Sequence, residues 1–202
     1  MHLLRTLLGL TVLLPPLASA AGDATVAQAL VTPCTACHGQ DGVAVLPGSP
    51  NLAGQGEAYL VRQLTMIKSG ARAAPLMTGQ LDTLNDKDLH DLAAYFSGLK
   101  APVGQAAPEN LALGERIYRA GIPSKGVAAC TSCHSPTGRG NALAGFPHLS
   151  GQPVQYVTAQ LTAYRERNRS TDEANGGVMR GIAQGLTDSE IAAVANYVQG
   201  LH

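Results

Sequence analysis

Two copies of one pentapeptide limit what this chain can fold into more than any other feature of its sequence. Both have the form C-x-x-C-H, and together they contain all four cysteines of the chain. The pentads are Cys34-Thr35-Ala36-Cys37-His38 and Cys130-Thr131-Ser132-Cys133-His134. Four cysteines in an exported protein usually suggest two disulfides, but a histidine directly after each pair indicates covalent haem attachment.

The spacing within each pentad fits one edge of a porphyrin. Two cysteines three apart at the end of a helical turn can form thioethers to the two vinyl groups on that edge, and the next residue then lies beneath the iron. The sequence therefore predicts two covalently bound haem c groups. The predicted attachment residues are Cys34, Cys37, Cys130 and Cys133, and the predicted proximal iron ligands are His38 and His134.

Two other uses of a C-x-x-C pair are disfavoured. A zinc site would need the two pairs to converge, and the 92 residues between Cys37 and Cys130 far exceed the spacing of zinc ribbons or fingers. A thioredoxin-like dithiol would be expected within a βαβ pattern. The sequence around the pentads shows no such pattern, so haem attachment is the better interpretation.

The first 20 residues resemble a secretory signal peptide. Residues 1–5 include one arginine, residues 7–14 are largely apolar, and Ala18-Ser19-Ala20 has the small side chains of a cleavage site. The apolar run is too short for a membrane-spanning helix. We therefore expect cleavage after Ala20 and export, which in a bacterium means a periplasmic protein with no integral membrane segment after cleavage.

The pentads belong to an internal duplication. Cys34 matches Cys130 at an offset of 96, and the segments that begin at Pro50 and Pro147 match at an offset of 97. The last part of each copy matches at an offset of 102, because the second copy contains a longer insertion before it. Pro, Gly and Ala residues between the copies predict a linker. The predicted domains are residues 21–100 and 109–202, joined by a linker over residues 101–108.

The periodicity of both copies is helical. Each copy is predicted to end in an amphipathic helix that begins at a cap, formed by Asn85 with Asp88 or by Thr187 with Glu190. Earlier helices are predicted over about residues 25–31, 56–69, 110–119 and 153–167. No alternating strand pattern is visible, so the predicted fold class is all-α. With no Trp and only two Phe, each half needs its haem to complete a core.

The ligand on the other face of the iron decides between an electron carrier and an open iron that binds gases or catalyses a reaction. Met77 and Met179 share the offset of 102, and each is predicted to lie in a loop just before the capped helix of its copy. Met66 has no counterpart and is spaced for packing within a helix. Met77 and Met179 are therefore predicted as the sixth ligands.

The other histidines of the exported chain are predicted to stay off the iron. His90 and His202 have no histidine counterpart and lie on or after a terminal helix. His148 lies in the loop that passes the second haem, but it is matched in the first copy by Asn51, which is not a usual haem ligand.

The charge of the chain is balanced, with 14 basic and 14 acidic side chains. This balance argues against nucleic acid as a partner. The second copy is the more basic, and Arg165, Arg167 and Arg169 could steer an acidic redox partner. A solvated helix end explains these arginines equally well.

Together these features resemble the dihaem cytochrome c4 family, each half of which is similar to a class I cytochrome c. The resemblance rests on the pentads, the Pro-x-Leu-x-Gly-Gln segments with a following Tyr, the paired methionines and the duplication, and it covers about residues 23–201. It implies two tandem class I cytochrome c-like domains related by a pseudo-twofold axis, with their haem edges close enough for internal electron transfer.

The resemblance also implies roles for other residues. Pro50 and Pro147 would each accept a hydrogen bond from the second ring nitrogen of a proximal histidine, which fixes the ring and tunes its basicity. Leu52 and Leu149 would pack on the haems. Arg180, directly after Met179, and the long charged loop over residues 165–177 depart from the family pattern, so the contacts beside the second haem are left open.

The implied function is transfer of single electrons, with no catalytic residue. The partners expected are redox proteins, namely an upstream quinol-oxidising complex and a membrane-bound terminal oxidase. Two alternatives stay open from the sequence. One is a dihaem peroxidase, and the other is the electron-transfer subunit of a sulfide, thiosulfate or alcohol dehydrogenase.

The pentads generate a first prediction. A haemochrome assay of the exported protein should return two covalent haems per chain, and replacing Cys34 and Cys37 together should leave one. The same replacement should damage folding of the first half, because the haem substitutes for apolar core that this half lacks. One haem per chain in the unaltered protein would contradict the interpretation of the pentads.

Overall fold

The computed structural model describes residues 22–202, so the predicted signal peptide over residues 1–20 lies outside the described part. Helices dominate residues 22–202, where extended pairing is limited to two isolated antiparallel bridges, Ile122 with Val127 and Asn141 with Phe146. The all-α prediction is confirmed.

The helices follow the duplication. In the first half they are α1 (Ala24–Ala27), α2 (Thr32–His38), α3 (Glu57–Lys68) and α4 (Asp86–Gly98), with a 3-10 turn at Pro75–Met77. In the second half they are α5 (Leu111–Ala120), α6 (Thr131–His134), α7 (Val154–Arg165), α8 (Val178–Gln184) and α9 (Asp188–Gln199), with 3-10 turns at Pro123–Lys125 and Glu173–Asn175.

Both C-terminal helices begin at the predicted capping boxes. The Asn85 side chain accepts a hydrogen bond from the Asp88 N–H at 3.1 Å, and the Asp88 carboxylate accepts one from the Asn85 N–H at 2.8 Å. Thr187 and Glu190 form the same reciprocal pair. Each box satisfies N–H groups that a helix start would otherwise leave unpaired. The boxes therefore fix where α4 and α9 begin, shortly after the segments that carry Met77 and Met179.

Two segments differ from the sequence prediction. The residues around Met179 were expected to form a loop, but α8 begins at Val178, and the glycines at 176, 177 and 181 hide its helical pattern. The helix expected over residues 25–31 ends at Ala27. A new helix, α2, begins at Thr32 with Pro33 in its first turn, where proline is well tolerated.

Helices α4 and α9 organise the two cores. α4 packs against α1 and α3, and α9 packs against α5 and α7. The inner faces bury side chains at spacings of three and four, namely Leu89, Leu92, Ala93 and Phe96 in α4, and Ile191, Val194, Ala195 and Val198 in α9. One apolar cluster uses residues 27–99 and the other uses residues 113–201. The exact domain and linker boundaries stay a prediction.

The crossing of α5 over α9 generates a second prediction. A Cβ atom at Gly114 would overlap the carbonyl oxygen of Ala193, which belongs to the backbone of α9. We expect Gly114→Ala to lower the free energy of unfolding by about 1–3 kcal/mol, the usual cost of overpacking. Urea unfolding followed by circular dichroism measures this change.

Gly98 in α4 supplies the matched control, because a Cβ there meets open space. Gly98→Ala should leave the stability unchanged or raise it by up to about 1 kcal/mol, through its better helix propensity. Equal behaviour of the two variants would contradict the close approach of α5 and α9.

Candidate functional site

A deep cavity opens into each half, and its walls carry the residues that the sequence predicts as haem-binding. The walls of the first cavity include Cys34, Cys37, His38 and Met77. The walls of the second include Cys130, Cys133, His134 and Met179. The structure thus gathers each predicted set around one space, although the members of a set lie up to 49 positions apart along the chain.

The proximal histidines are held in a defined orientation. Nδ1 of His38 lies 2.9 Å from the carbonyl oxygen of Pro50, and Nδ1 of His134 lies 3.0 Å from that of Pro147. A carbonyl oxygen can only accept, so Nδ1 carries the proton and Nε2 is left with a lone pair for a metal. The proline contacts that the family resemblance implies are confirmed.

Burial favours the form of these rings that binds iron. It lowers the pKa of His38 and of His134, and the hydrogen bond to each proline opposes this effect only in part. Each imidazole is therefore neutral at pH 7, as a metal-ligating nitrogen requires. Burial also raises the pKa of the Cys34 thiol, and that of Cys130 to about 11. These two thiols are therefore protonated at pH 7.

The methionines reach their cavities from different local structures. Met77 is the last residue of the 3-10 turn at Pro75–Met77, whereas Met179 is the second residue of α8. Met66 lies on α3 and does not line either cavity in the described chain. His148 lines the first cavity from the second half, with its Nδ1 atom 3.2 Å from the carbonyl oxygen of Gly54.

Reciprocal hydrogen bonds join the two halves. The Gln55 side chain donates to the carbonyl of His148 and accepts from its N–H, at 2.9 and 2.8 Å. The Gln152 side chain donates to the carbonyl of Asn51 and accepts from its N–H, at 2.8 and 3.0 Å. Gln55 and Gln152 occupy the same position in their copies. The contact therefore has the twofold pattern expected of a duplicated chain.

A second reciprocal cluster lies between the cavities. Arg72 donates to Tyr156 and Gln160 of the second half, at 3.1 and 3.3 Å. Arg169 donates to Tyr59 and Gln63 of the first half, at 3.1 and 3.0 Å. Tyr59, Gln63 and Gln160 line both cavities. Each cavity is therefore completed by side chains from the other half.

These two arginines bear on the question of what the cavities hold. Within residues 22–202, neither Arg72 nor Arg169 forms an ion pair with a carboxylate, and the Nε atom of Arg72 is buried without a hydrogen-bond partner. A buried cation needs a compensating anion. The propionate groups of a haem are such anions. The positive charge of the site therefore fits haem c, as the cysteines and histidines of the site do. Arg72 and Arg169 are the residues that would hold the propionates.

The structure corrects one sequence hypothesis. Arg169 is only 6% exposed and bonds across the interface, so it cannot steer a partner. Arg165 is partly buried and pairs with Asp188 at 2.7 Å. Among the three arginines only Arg167 is exposed. The three arginines follow one another at every second position, and this spacing did not reveal that the side chain of Arg169 points inward.

The interface residues could have been found from the duplication. Arg72 and Arg169 stand at an offset of 97, the same offset that relates Tyr59 to Tyr156 and Gln63 to Gln160. Polar residues repeated between two copies indicate a shared role, although their offset alone does not say that they face each other.

Comparison with known proteins agrees with this geometry. A family model described as "Cytochrome c" matches residues 24–100 and 111–202. The fold, the paired pentads and the two cavities define the class of this protein, a c-type cytochrome with two covalently bound haem c groups. Cytochrome c4 of Pseudomonas aeruginosa is 50% identical over 202 residues, with 100% of each chain covered.

A crystal structure of reduced recombinant cytochrome c4 from Pseudomonas stutzeri superposes with a TM-score of 0.87, at 48% identity, and covers 90% of this chain and 100% of that chain. The chain belongs to the cytochrome c4 family of dihaem electron carriers. A more distant relative, the thiosulfate dehydrogenase electron acceptor of Stutzerimonas stutzeri, is 36% identical over 168 residues, which are 81% of this chain and 76% of that one.

The interface generates a third prediction. Arg169→Gln removes charge-assisted hydrogen bonds between the halves, each of which contributes about 1.5–3 kcal/mol. We expect the free energy of unfolding to fall by about 3 kcal/mol or more, and the linker to become more sensitive to limited proteolysis. The exposed Arg167 is the control, and Arg167→Gln should change the stability by less than about 0.5 kcal/mol. Equal losses would contradict an interface role for Arg169.

Proposed function

We propose that the chain is a periplasmic electron carrier in which both irons are six-coordinate, one between His38 and Met77 and the other between His134 and Met179. The observation that carries this proposal is the pairing within each cavity of a buried, neutral histidine with a methionine from the segment before the capped helix. When bound, each haem supplies an iron that gains and loses one electron, and methionine ligation raises its reduction potential.

The protein's own residues prepare this exchange. Pro50 and Pro147 fix the histidine rings, so the ligand on that side does not reorient when the charge changes. Arg72 and Arg169 supply positive charge between the cavities and would hold the propionates of a bound haem. No proton acceptor or substrate pocket is needed for this function. Six-coordinate irons disfavour the peroxidase alternative, because that chemistry requires an open or displaceable site.

The proposed partners are an upstream quinol-oxidising complex and a membrane-bound terminal oxidase. Within residues 22–202, every helix is too short or too polar to span a lipid bilayer. The predicted signal peptide supports export to the periplasm, where such a carrier would move between the two complexes.

A second candidate has a specific observation in its favour. The Stutzerimonas relative is described as an electron acceptor of thiosulfate dehydrogenase, and the present chain could serve a dehydrogenase in the same way. Stopped-flow reduction of the ferric protein distinguishes the two candidates. Fast reduction by a purified quinol-oxidising complex supports the respiratory role, and fast reduction by a thiosulfate dehydrogenase supports the other.

The ligand assignment generates a fourth prediction. The unaltered ferrous protein should not bind carbon monoxide readily at neutral pH, and the ferric protein should show the weak charge-transfer band of sulfur-ligated iron. Met77→Ala and Met179→Ala should each remove about half of the band and create one carbon monoxide site. Absorption spectra of both redox states check these outcomes.

Met66→Leu is the control, because Met66 lies outside both cavities. It should leave both the band and carbon monoxide binding unchanged. Rapid carbon monoxide binding by the unaltered protein would instead favour a catalytic or sensing function with an open iron.

A further inference from the structure

The two halves hold their methionines differently. In the first half, Met77 ends a short 3-10 turn, and the N–H of the next residue, Thr78, donates to the carbonyl of Pro75 in the same turn at 3.2 Å. Thr78 is exposed, and Leu76 on the other side of Met77 is 72% exposed. Local backbone hydrogen bonds are therefore the main restraint on Met77.

In the second half, a buried carboxylate takes over this role. Asp172 is only 4% exposed, and its Oδ2 atom accepts a hydrogen bond from the backbone N–H of Arg180 at 2.9 Å. Its Oδ1 atom lies 2.8 Å from Nε of Arg180, an ion pair that lacks hydrogen-bond geometry. One carboxylate thus contacts both the backbone and the side chain of the residue directly after Met179.

Asp172 is itself fixed to the body of the second half. The hydroxyl of the preceding residue, Thr171, lies 3.0 Å from the Tyr164 hydroxyl of α7 and accepts a hydrogen bond from Arg169 at 3.0 Å. The backbone carbonyl of Asp172 accepts from the N–H groups of Asn175 and Gly177, at 2.9 and 3.0 Å. The carboxylate is therefore a rigid anchor and not the tip of a free loop.

The duplication explains why the first half has no equivalent. Four residues separate Arg72 from Met77, whereas nine separate Arg169 from Met179. Asp172 lies in the longer segment, and the shorter one, residues 73–76, contains no carboxylate. Within residues 22–202, no side chain bonds to the backbone N–H of Thr78 as Asp172 bonds to that of Arg180.

We propose that Asp172 is a positioning residue that holds Met179 against its haem, so that an external ligand displaces Met179 less readily than Met77. This inference rests on the proposed function, in which both methionines are sixth ligands. A thioether is a neutral ligand whose occupancy depends on the high local concentration that its loop provides. Fixing Arg180 through a buried carboxylate raises that local concentration for Met179 alone.

Imidazole competition tests the proposal. In a Met77→His background the sulfur charge-transfer band of the ferric protein reports only the second haem, and its loss during titration measures displacement of Met179. We expect Asp172→Ala to lower the imidazole concentration for half displacement roughly tenfold, as loss of a charge-assisted hydrogen bond predicts. Asp172→Asn keeps an oxygen acceptor for the Arg180 N–H, so its shift should be smaller.

Two controls separate positioning from general damage. Glu173 follows Asp172 directly, is 78% exposed at its side chain and pairs with Nη2 of the Arg180 guanidinium. Glu173→Gln should leave the titration unchanged. In a Met179→His background the band reports the first haem, and there Asp172→Ala should have no effect. A shift at both haems would overturn the proposal, because it would indicate loosening of the whole protein.

The remaining outcomes are distinct. An intact band with an unshifted titration in Asp172→Ala overturns the role of Asp172 and leaves the proposed function standing. No band in the unaltered protein overturns the proposed function itself. If Asp172→Ala does not assemble with two haems, Arg180→Gln decides, since it removes the ion pair and keeps the backbone contact. A smaller shift of the same sign in Arg180→Gln supports the proposal. The absence of any shift contradicts it.

Discussion

Covalent attachment of a porphyrin edge to two cysteines is the constraint on which the rest of this structure depends. Once this edge is fixed, the histidine after the second cysteine must lie on one face of the porphyrin. The rest of the chain then has to enclose the opposite face. The short helices α2 and α6 end at these histidines, and α4 and α9 supply the buried apolar faces. Two phenylalanines and no tryptophan leave cores that are complete only around a large apolar cofactor.

The same duplication that supplies two sites also supplies their contact. Gln55 and Gln152 exchange hydrogen bonds with backbone of the opposite half, and Arg72 and Arg169 reach across in the same reciprocal way. Arg169 is buried and Arg72 is half-buried, and such cations are unfavourable without a compensating anion. Haem propionates held by these arginines would compensate their charge, so haem binding and docking of the halves would stabilise each other.

The halves are not equivalent, and the difference lies in one loop. The longer segment before Met179 adds Asp172, which contacts Arg180, whereas the shorter segment before Met77 remains largely exposed. A duplicated electron carrier gains from such a difference, because two haems in unlike surroundings can differ in potential and in exposure to partners. Both halves keep the same fold, because α4 and α9 each begin at a capping box after these segments of different length.

The sequence by itself determined the haem attachment sites, the helical fold and the family, because thioether spacing, helical periodicity and capping boxes depend on residues close together in the chain. Methionine ligation and the domain boundaries were predicted from the duplication and stay predictions. Only the tertiary structure decided that Arg169 points inward, that His148 lines the cavity of the other half, and that Asp172 holds the residue after Met179. Each of these depends on contacts between segments whose approach no local pattern encodes.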